Sequence, residues 1–117
     1  MRACAQMFRG VLQTWQSLFE ETAEFASRAG PDGLIDISHS EDRNEGVVTV
    51  WYWEGALTSG EPSWRVRFEV FRGTLTSWQA LFDEAGRFAG SVGPERLIGI
   101  SHSEGNNEGV VTVWYWE

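Results

Sequence analysis

Lysine is absent from this chain, and all nine basic residues are arginine. Cysteine is nearly absent: Cys4 stands alone, so no intrachain disulfide can form. No apolar run approaches the length that spans a bilayer. The opening Met-Arg-Ala-Cys-Ala-Gln-Met lacks the apolar core of a signal peptide, and the expectation is a cytoplasmic protein. There is no Gly-x-Ser-x-Gly elbow and no glycine loop able to cradle a phosphate. Only two histidines occur, His39 and His102. Positive charge is scarce as well. Seventeen acids outnumber the arginines, and the net charge of −8 gives an acidic surface that repels phosphate backbones. Nucleic acid and membrane are therefore set aside as partners.

What is present is present twice. Shifted by 63 residues, Phe8–Glu54 lies on Phe71–Glu117 without a gap, and 31 of the 47 overlaid positions are identical. The run Glu45–Glu54 recurs unchanged as Glu108–Glu117. So long a period points to one supersecondary unit copied in tandem. The expected organisation is a first unit over 1–54, a Gly/Ser/Pro-containing linker over 55–63 and a second unit over 64–117. Each half would be marginal alone, so the two are expected to share one body. The first copy carries nine acids and three arginines, a net −6; the second carries six and three, a net −3.

Each unit reads as strand, helix, strand, strand. In the stretch 64–71, Val66, Phe68 and Val70 alternate with Arg65, Arg67 and Glu69, the period of a strand with one buried face. The first copy offers Ala3, Ala5 and Met7 at the matching inward positions. Trp15, Leu18, Thr22, Phe25 and Ala29 then recur at helical spacing, widened by Phe19 and Ala26. Trp78, Leu81, Ala85, Phe88 and Val92, with Phe82 and Ala89, repeat the stripe. Thr14 and Ser77 are the expected N-caps, and Gly30-Pro31 and Gly93-Pro94 the expected stops. Two strands rich in β-branched and aromatic residues close each unit as a hairpin. The fold class that follows is α+β: a duplicated βαββ unit, antiparallel-rich sheet, helices on one face and a pseudo-twofold axis. The element order resembles that of small βαββ modules such as the dodecins, oligomeric proteins that bind flavin. The likeness is of element order, and no function is carried across on it.

If the first hairpin turns between Arg43 and Asn44, His39 faces Val48, Ile37 faces Val50 and Ile35 faces Tyr52. That face suits packing under the helix. The opposite face carries Leu34, Asp36, Ser38, Thr49, Trp51 and Trp53, with Trp114 and Trp116 as counterparts in the second copy. Indoles on a face that its own helix cannot cover require some other cover, because large exposed apolar surface is costly and adhesive. The first expectation is the other copy, face to face, or a second chain. The alternative is a ligand site lined by Trp51, Trp53, Trp114 and Trp116 beside His39 and His102, suited to a planar aromatic molecule.

Ser38-His39-Ser40-Glu41 recurs as Ser101-His102-Ser103-Glu104. In a strand His39 and Glu41 point to one side and could share a proton or a cation. A metal wants three or four converging ligands, and a Ser38–His39–Asp36 relay is barred because strand neighbours point to opposite faces. The expectation is therefore no catalytic residue, no metal and no cofactor. The leading function class is a noncatalytic structural or interaction module, acting as a homo-oligomer or with a protein partner. A small-molecule binder comes second, and an enzyme or metal binder built on the Ser-His-Ser-Glu repeats third.

Overall fold

Period-two segments become strands, and their register decides which side chains share a face. The computed structural model describes residues 1–11, 13–43 and 45–117. Strands β1 (Ala3–Gly10), β2 (Leu34–Asp42) and β3 (Glu45–Trp53) form one antiparallel sheet in the order β1-β3-β2. Strands β4 (Val66–Thr74), β5 (Leu97–Gly105) and β6 (Glu108–Trp116) form another in the order β4-β6-β5. Helices α1 (Trp15–Ser27) and α3 (Trp78–Val92) follow β1 and β4, and α2 (Gly30–Gly33) is a single turn before β2. The chain is thus α+β, with two three-stranded antiparallel sheets and three helices among the described residues.

The cap residues act as their chemistry suggests. The Thr14 hydroxyl accepts from the Ser17 N–H and the Ser77 hydroxyl from the Ala80 N–H, both at 3.1 Å. Gly93 ends α3 with φ +92°. Helix α1 stops earlier than expected, at Ser27, and Gly30 opens the short α2 turn instead of closing a long helix. The second hairpin turns on Asn106 and Asn107, both at positive φ, the pair of left-handed residues that a two-residue hairpin requires. Asn44, half of the expected turn centre in the first hairpin, lies outside the described residues.

Register follows expectation at His39↔Val48 and Ile37↔Val50 and then departs from it. A bulge between Leu34 and Asp36 removes Ile35 from its expected place opposite Tyr52 and sets Leu34 there. Leu34 therefore packs into the core and Ile35 is exposed. The same bulge separates Leu97 from Gly99. The outer strands carry a repeated clamp: Arg9 makes a bidentate pair with Glu45 (2.9 and 2.7 Å), and Arg72 with Glu108 (2.9 and 2.8 Å). Their hydrogen bonds hold both carboxyls below the usual carboxylate range.

Helix α1 packs on two sheets. Its Trp15, Leu18, Phe19, Ala23 and Ala26 share one buried cluster with Ile37, Val48 and Val50 of the first sheet and with Val66, Val110, Trp114 and Trp116 of the second. Along β6 the even-numbered residues face this cluster. The odd-numbered Val111 and Val113 face α3, beneath Leu81, Ala85 and Ala89. The second sheet is therefore covered on both faces, whereas the first has α1 on one face only. This corrects the expectation of helices on one face: α1 and α3 lie on opposite faces of the second sheet. The expected inward residues Ala3, Ala5 and Met7 are exposed, because their face of the first sheet is the uncovered one.

Two glycines near the starts of β3 and β6 serve this packing. A Cβ at Gly46 would lie 3.0 Å from the Trp15 ring and 3.2 Å from Leu18 Cδ2; at Gly109 it would lie 3.0 Å from Trp78 and 3.1 Å from Leu81 Cδ1. Each glycine lets a helix lie close on its sheet. Gly46→Ala should destabilise the fold by about 1–3 kcal/mol through overpacking against Trp15. Urea unfolding of the variant checks this, and an unchanged midpoint would refute it.

Candidate functional site

The decapeptide shared by β3 and β6 gives both sheets the same outward row of Thr and Trp, yet the rows meet different surroundings. Trp114 is fully buried and Trp116 nearly so, at 0% and 8% exposure; Trp51 and Trp53 are 41% and 37% exposed. The Trp114 ring lies edge-on to Phe19 of α1 at 5.1 Å and tilted to Phe68 at 5.5 Å. Its Nε1–H donates to the Ser101 hydroxyl at 2.9 Å. Around Trp51 the counterparts are small: Ala5 stands beside Trp51 and Ala3 beside Trp53 on β1. Ser38, Ser40 and Met7 extend the same exposed face. The expected face-to-face packing of the two Trp rows does not occur. One row is covered by the first helix and the other is open, so Trp51 and Trp53 do not line a common site with Trp114 and Trp116.

The histidines differ in the same way. His39 is buried between Trp15 and Phe19, whose rings stand at 5.2 Å from it with interplanar angles of 69° and 72°. Its Nδ1 lies 2.6 Å from the Ser101 hydroxyl. A chain from Trp114 Nε1–H to Ser101 to His39 Nδ1 is satisfied when the neutral ring carries its proton on Nε2. Burial is the main force on this imidazole and pushes it from its ordinary 6.5 down to about 4. The Val110 backbone works weakly against that, and repulsion from His102 adds to it. Nε2 finds no partner in hydrogen-bond geometry. His102 keeps the aromatic neighbours, Trp78 at 5.4 Å and Phe82 at 5.6 Å, but is exposed.

Among the described residues His39 meets the Ser101 hydroxyl and the Trp15 and Phe19 rings, and no three His, Cys, Asp or Glu side chains converge on a metal position. A cleft of about 580 Å³ lies elsewhere, between α1 and β4, lined by Gln16, Glu20, Glu24, Arg65, Arg67 and Glu69 among others. None of the six expected site residues reaches it.

Three features escaped sequence reasoning: the Ser101 hub, the docking role of Phe19, and the glycines along the β2–β5 seam. Asp36 lies beside Gly99, and a Cβ at Gly105 would fall inside the Glu41 carboxyl. The signal for the seam was available in the overlay, where Asp36 and Asp42 stand opposite Gly99 and Gly105 in otherwise conserved strands.

No family model matches the chain, and no curated protein and no solved structure matches it either. No helix among the described residues is long and apolar enough to cross a membrane.

Two measurements follow. Trp114→Ala should cost about 3–5 kcal/mol, a buried aromatic lost together with its hydrogen bond, while Trp51→Ala, in an identical ten-residue context, should cost under about 1 kcal/mol. Equal losses in urea unfolding would contradict the burial difference. For His39, the unfolded ring takes a proton near 6.5 and the folded ring only near 4. Above that window the group adds no pH dependence. As pH falls through it the unfolded state is favoured, and stability drops by about 3 kcal/mol. His39→Gln should flatten this slope between pH 6.5 and 4.5, with His102→Gln as the control that keeps it.

Proposed function

We propose that the protein is a noncatalytic structural or interaction module. On this reading it arose by internal duplication of a βαββ unit, with residues 1–54 and 64–117 joined by 55–63 and folded as one cytoplasmic body. Its contact surface is the exposed row of Trp51 and Trp53. One observation carries the reading: the equivalent row, Trp114 and Trp116, is occupied by a protein helix and not by a cavity. A sheet face that accepts protein in one half is suited to accept protein in the other. Exposed indoles with small neighbours also favour burial against a partner, since they are the residue type that contributes most at contact centres. The acidic balance keeps nucleic acid out of the set of partners.

A second reading rests on the exposure of the two indoles: a planar aromatic ligand stacked on Trp51 and Trp53. Neither indole lines the cleft between α1 and β4, and small-molecule sites bury most of the ligand in a concavity. An enzymatic role for the Ser-His-Ser-Glu repeats is weaker still. His39 is sealed between aromatic rings, and the exposed His102 has Trp78 and Phe82 for neighbours.

Riboflavin serves as the planar probe. Titrated into the protein at micromolar concentration, it should produce no saturable quenching of tryptophan fluorescence beyond optical absorption. Saturable one-to-one quenching that disappears in Trp51→Ala would replace the interaction reading with the ligand reading.

A further inference from the structure

Strand β4 is an edge of the second sheet, paired with β6 on one side only. Arg65, just before β4, and Glu117 exchange both backbone hydrogen bonds across that pair, at 2.9 and 2.8 Å. Antiparallel ladders alternate, so the odd-numbered residues of β4 direct their backbone groups to β6 and the even-numbered ones turn theirs away from it. The first even position is already met: the Val66 N–H donates to the Ser27 hydroxyl of α1 at 2.8 Å. Beyond Ser27 a cleft of about 580 Å³ separates helix from strand, and the N–H and C=O groups of Phe68 and Val70 face it.

A groove with a strand edge for one wall and a helix for the other suits an extended peptide added as a further strand. The walls match in length. Positions 16–27 of α1 rise about 16 Å, and positions 65–70 of the strand span about 17 Å. The cations of the cleft are engaged, Arg65 with Glu61 and Arg67 with Glu117. On the helical wall Glu20 and Glu24 make no ion pair among the described residues. One turn apart, they are separated by about 6 Å along the helix, close to the roughly 7 Å between alternate residues of a strand. We propose that this groove binds an extended segment of a partner protein by strand addition to β4, and that the segment carries basic residues at alternate positions. Its backbone pairs with Phe68 and Val70, and its cations meet Glu20 and Glu24.

Facing fixes which residues of the segment do what. Directly opposed residues of paired strands put their side chains on one face. Phe68 and Val70 point to the α1 side, where they pack against its cluster. The segment's residues that hydrogen-bond to them therefore also point to α1, so the basic residues are the ones whose N–H groups pair with β4. The groove belongs to this half alone. Shifted by 63 residues its walls become α3 and β1, and α3 packs on the second sheet and not on the first. The Ser27 hydroxyl that joins helix to strand becomes Gly90. Trp51 and Trp53 do not line the groove, so this site and the Trp row stand or fall separately.

Fluorescence anisotropy of a labelled hexapeptide, Thr-Arg-Val-Arg-Val-Thr, titrated with the full chain tests this. Saturable binding is expected, tighter at low salt. Methylating the backbone nitrogens of both arginines of the peptide should weaken it about tenfold or more, whereas methylating those of both valines should leave most of it. Glu20→Lys with Glu24→Lys should weaken it about tenfold, and a Thr-Glu-Val-Glu-Val-Thr peptide should bind that variant. Glu84→Lys with Glu95→Lys, an equal charge change at exposed positions outside the groove, and Trp51→Ala should leave the affinity unchanged. Circular dichroism confirms that each variant is folded. Absence of saturation up to about 1 mM overturns the inference. So does binding in which the two methylated peptides, or the two pairs of charge reversals, behave alike. A wild type that sediments as a dimer and dissociates on adding the peptide would assign the groove to a second copy and overturns it too. None of these outcomes bears on the Trp51 and Trp53 face, which the riboflavin titration tests.

Discussion

The T-shaped contact between Phe19 and Trp114 is the one on which the arrangement turns. Helix α1 would be needed to cover the first sheet in any case. Through Phe19, which meets both His39 and Trp114, its cluster extends to the second sheet, and one thirteen-residue helix serves two sheets. Each half alone would be marginal, since small units hide little of what they expose. Sharing a helix removes that shortage without adding chain. Some of the polar groups carried into this core are matched: the Trp114 N–H and the His39 Nδ1 meet on the Ser101 hydroxyl, and the Val66 N–H meets Ser27, whereas His39 Nε2 and the Thr112 hydroxyl have no hydrogen-bond partner.

Sharing has a directional consequence. An exact twofold would give both copies the same burial. Here α1 packs on both sheets and α3 on the second alone, so identical residues end in different environments. Glu45–Glu54 and Glu108–Glu117 have the same letters, the same strand and the same pairing pattern, and yet Trp51 is open while Trp114 is sealed. Local sequence sets the strand and its alternation; burial is set by what lies across the face.

That distinction explains what could be read from the chain. The strands, helix stripes, Thr14 and Ser77 caps and the pairs His39–Val48 and Ile37–Val50 follow from periodicity and turn chemistry, which act over a few residues. Ile35 was misplaced because a one-residue bulge leaves no mark in an alternating pattern. Ala3, Ala5 and Met7 were assigned inward because Val66, Phe68 and Val70 are inward at matching positions. The analogy is sound for facing and fails for burial. The Trp row was legible as the anomalous face, but not which copy would keep it open. The positions that distinguish the copies, Ala5 for Phe68 and Asp42 for Gly105, carry that information, and they are the places where the repeat is imperfect.

The histidines bring the same logic to chemistry. A motif copied as Ser-His-Ser-Glu invites a single catalytic or ligating role for both copies. Yet the environment makes one imidazole a neutral core group held near aromatic edges and leaves the other in water. A shared mechanism would need both in comparable surroundings, with a carboxylate within reach, and the seam offers His39 only Ser101. What both retain is their packing between a Trp and a Phe of the neighbouring helix. In both copies the motif stands a polar, flat ring at the edge of the helix–sheet contact, and in the first half the Ser101 hydroxyl of the second half meets that ring.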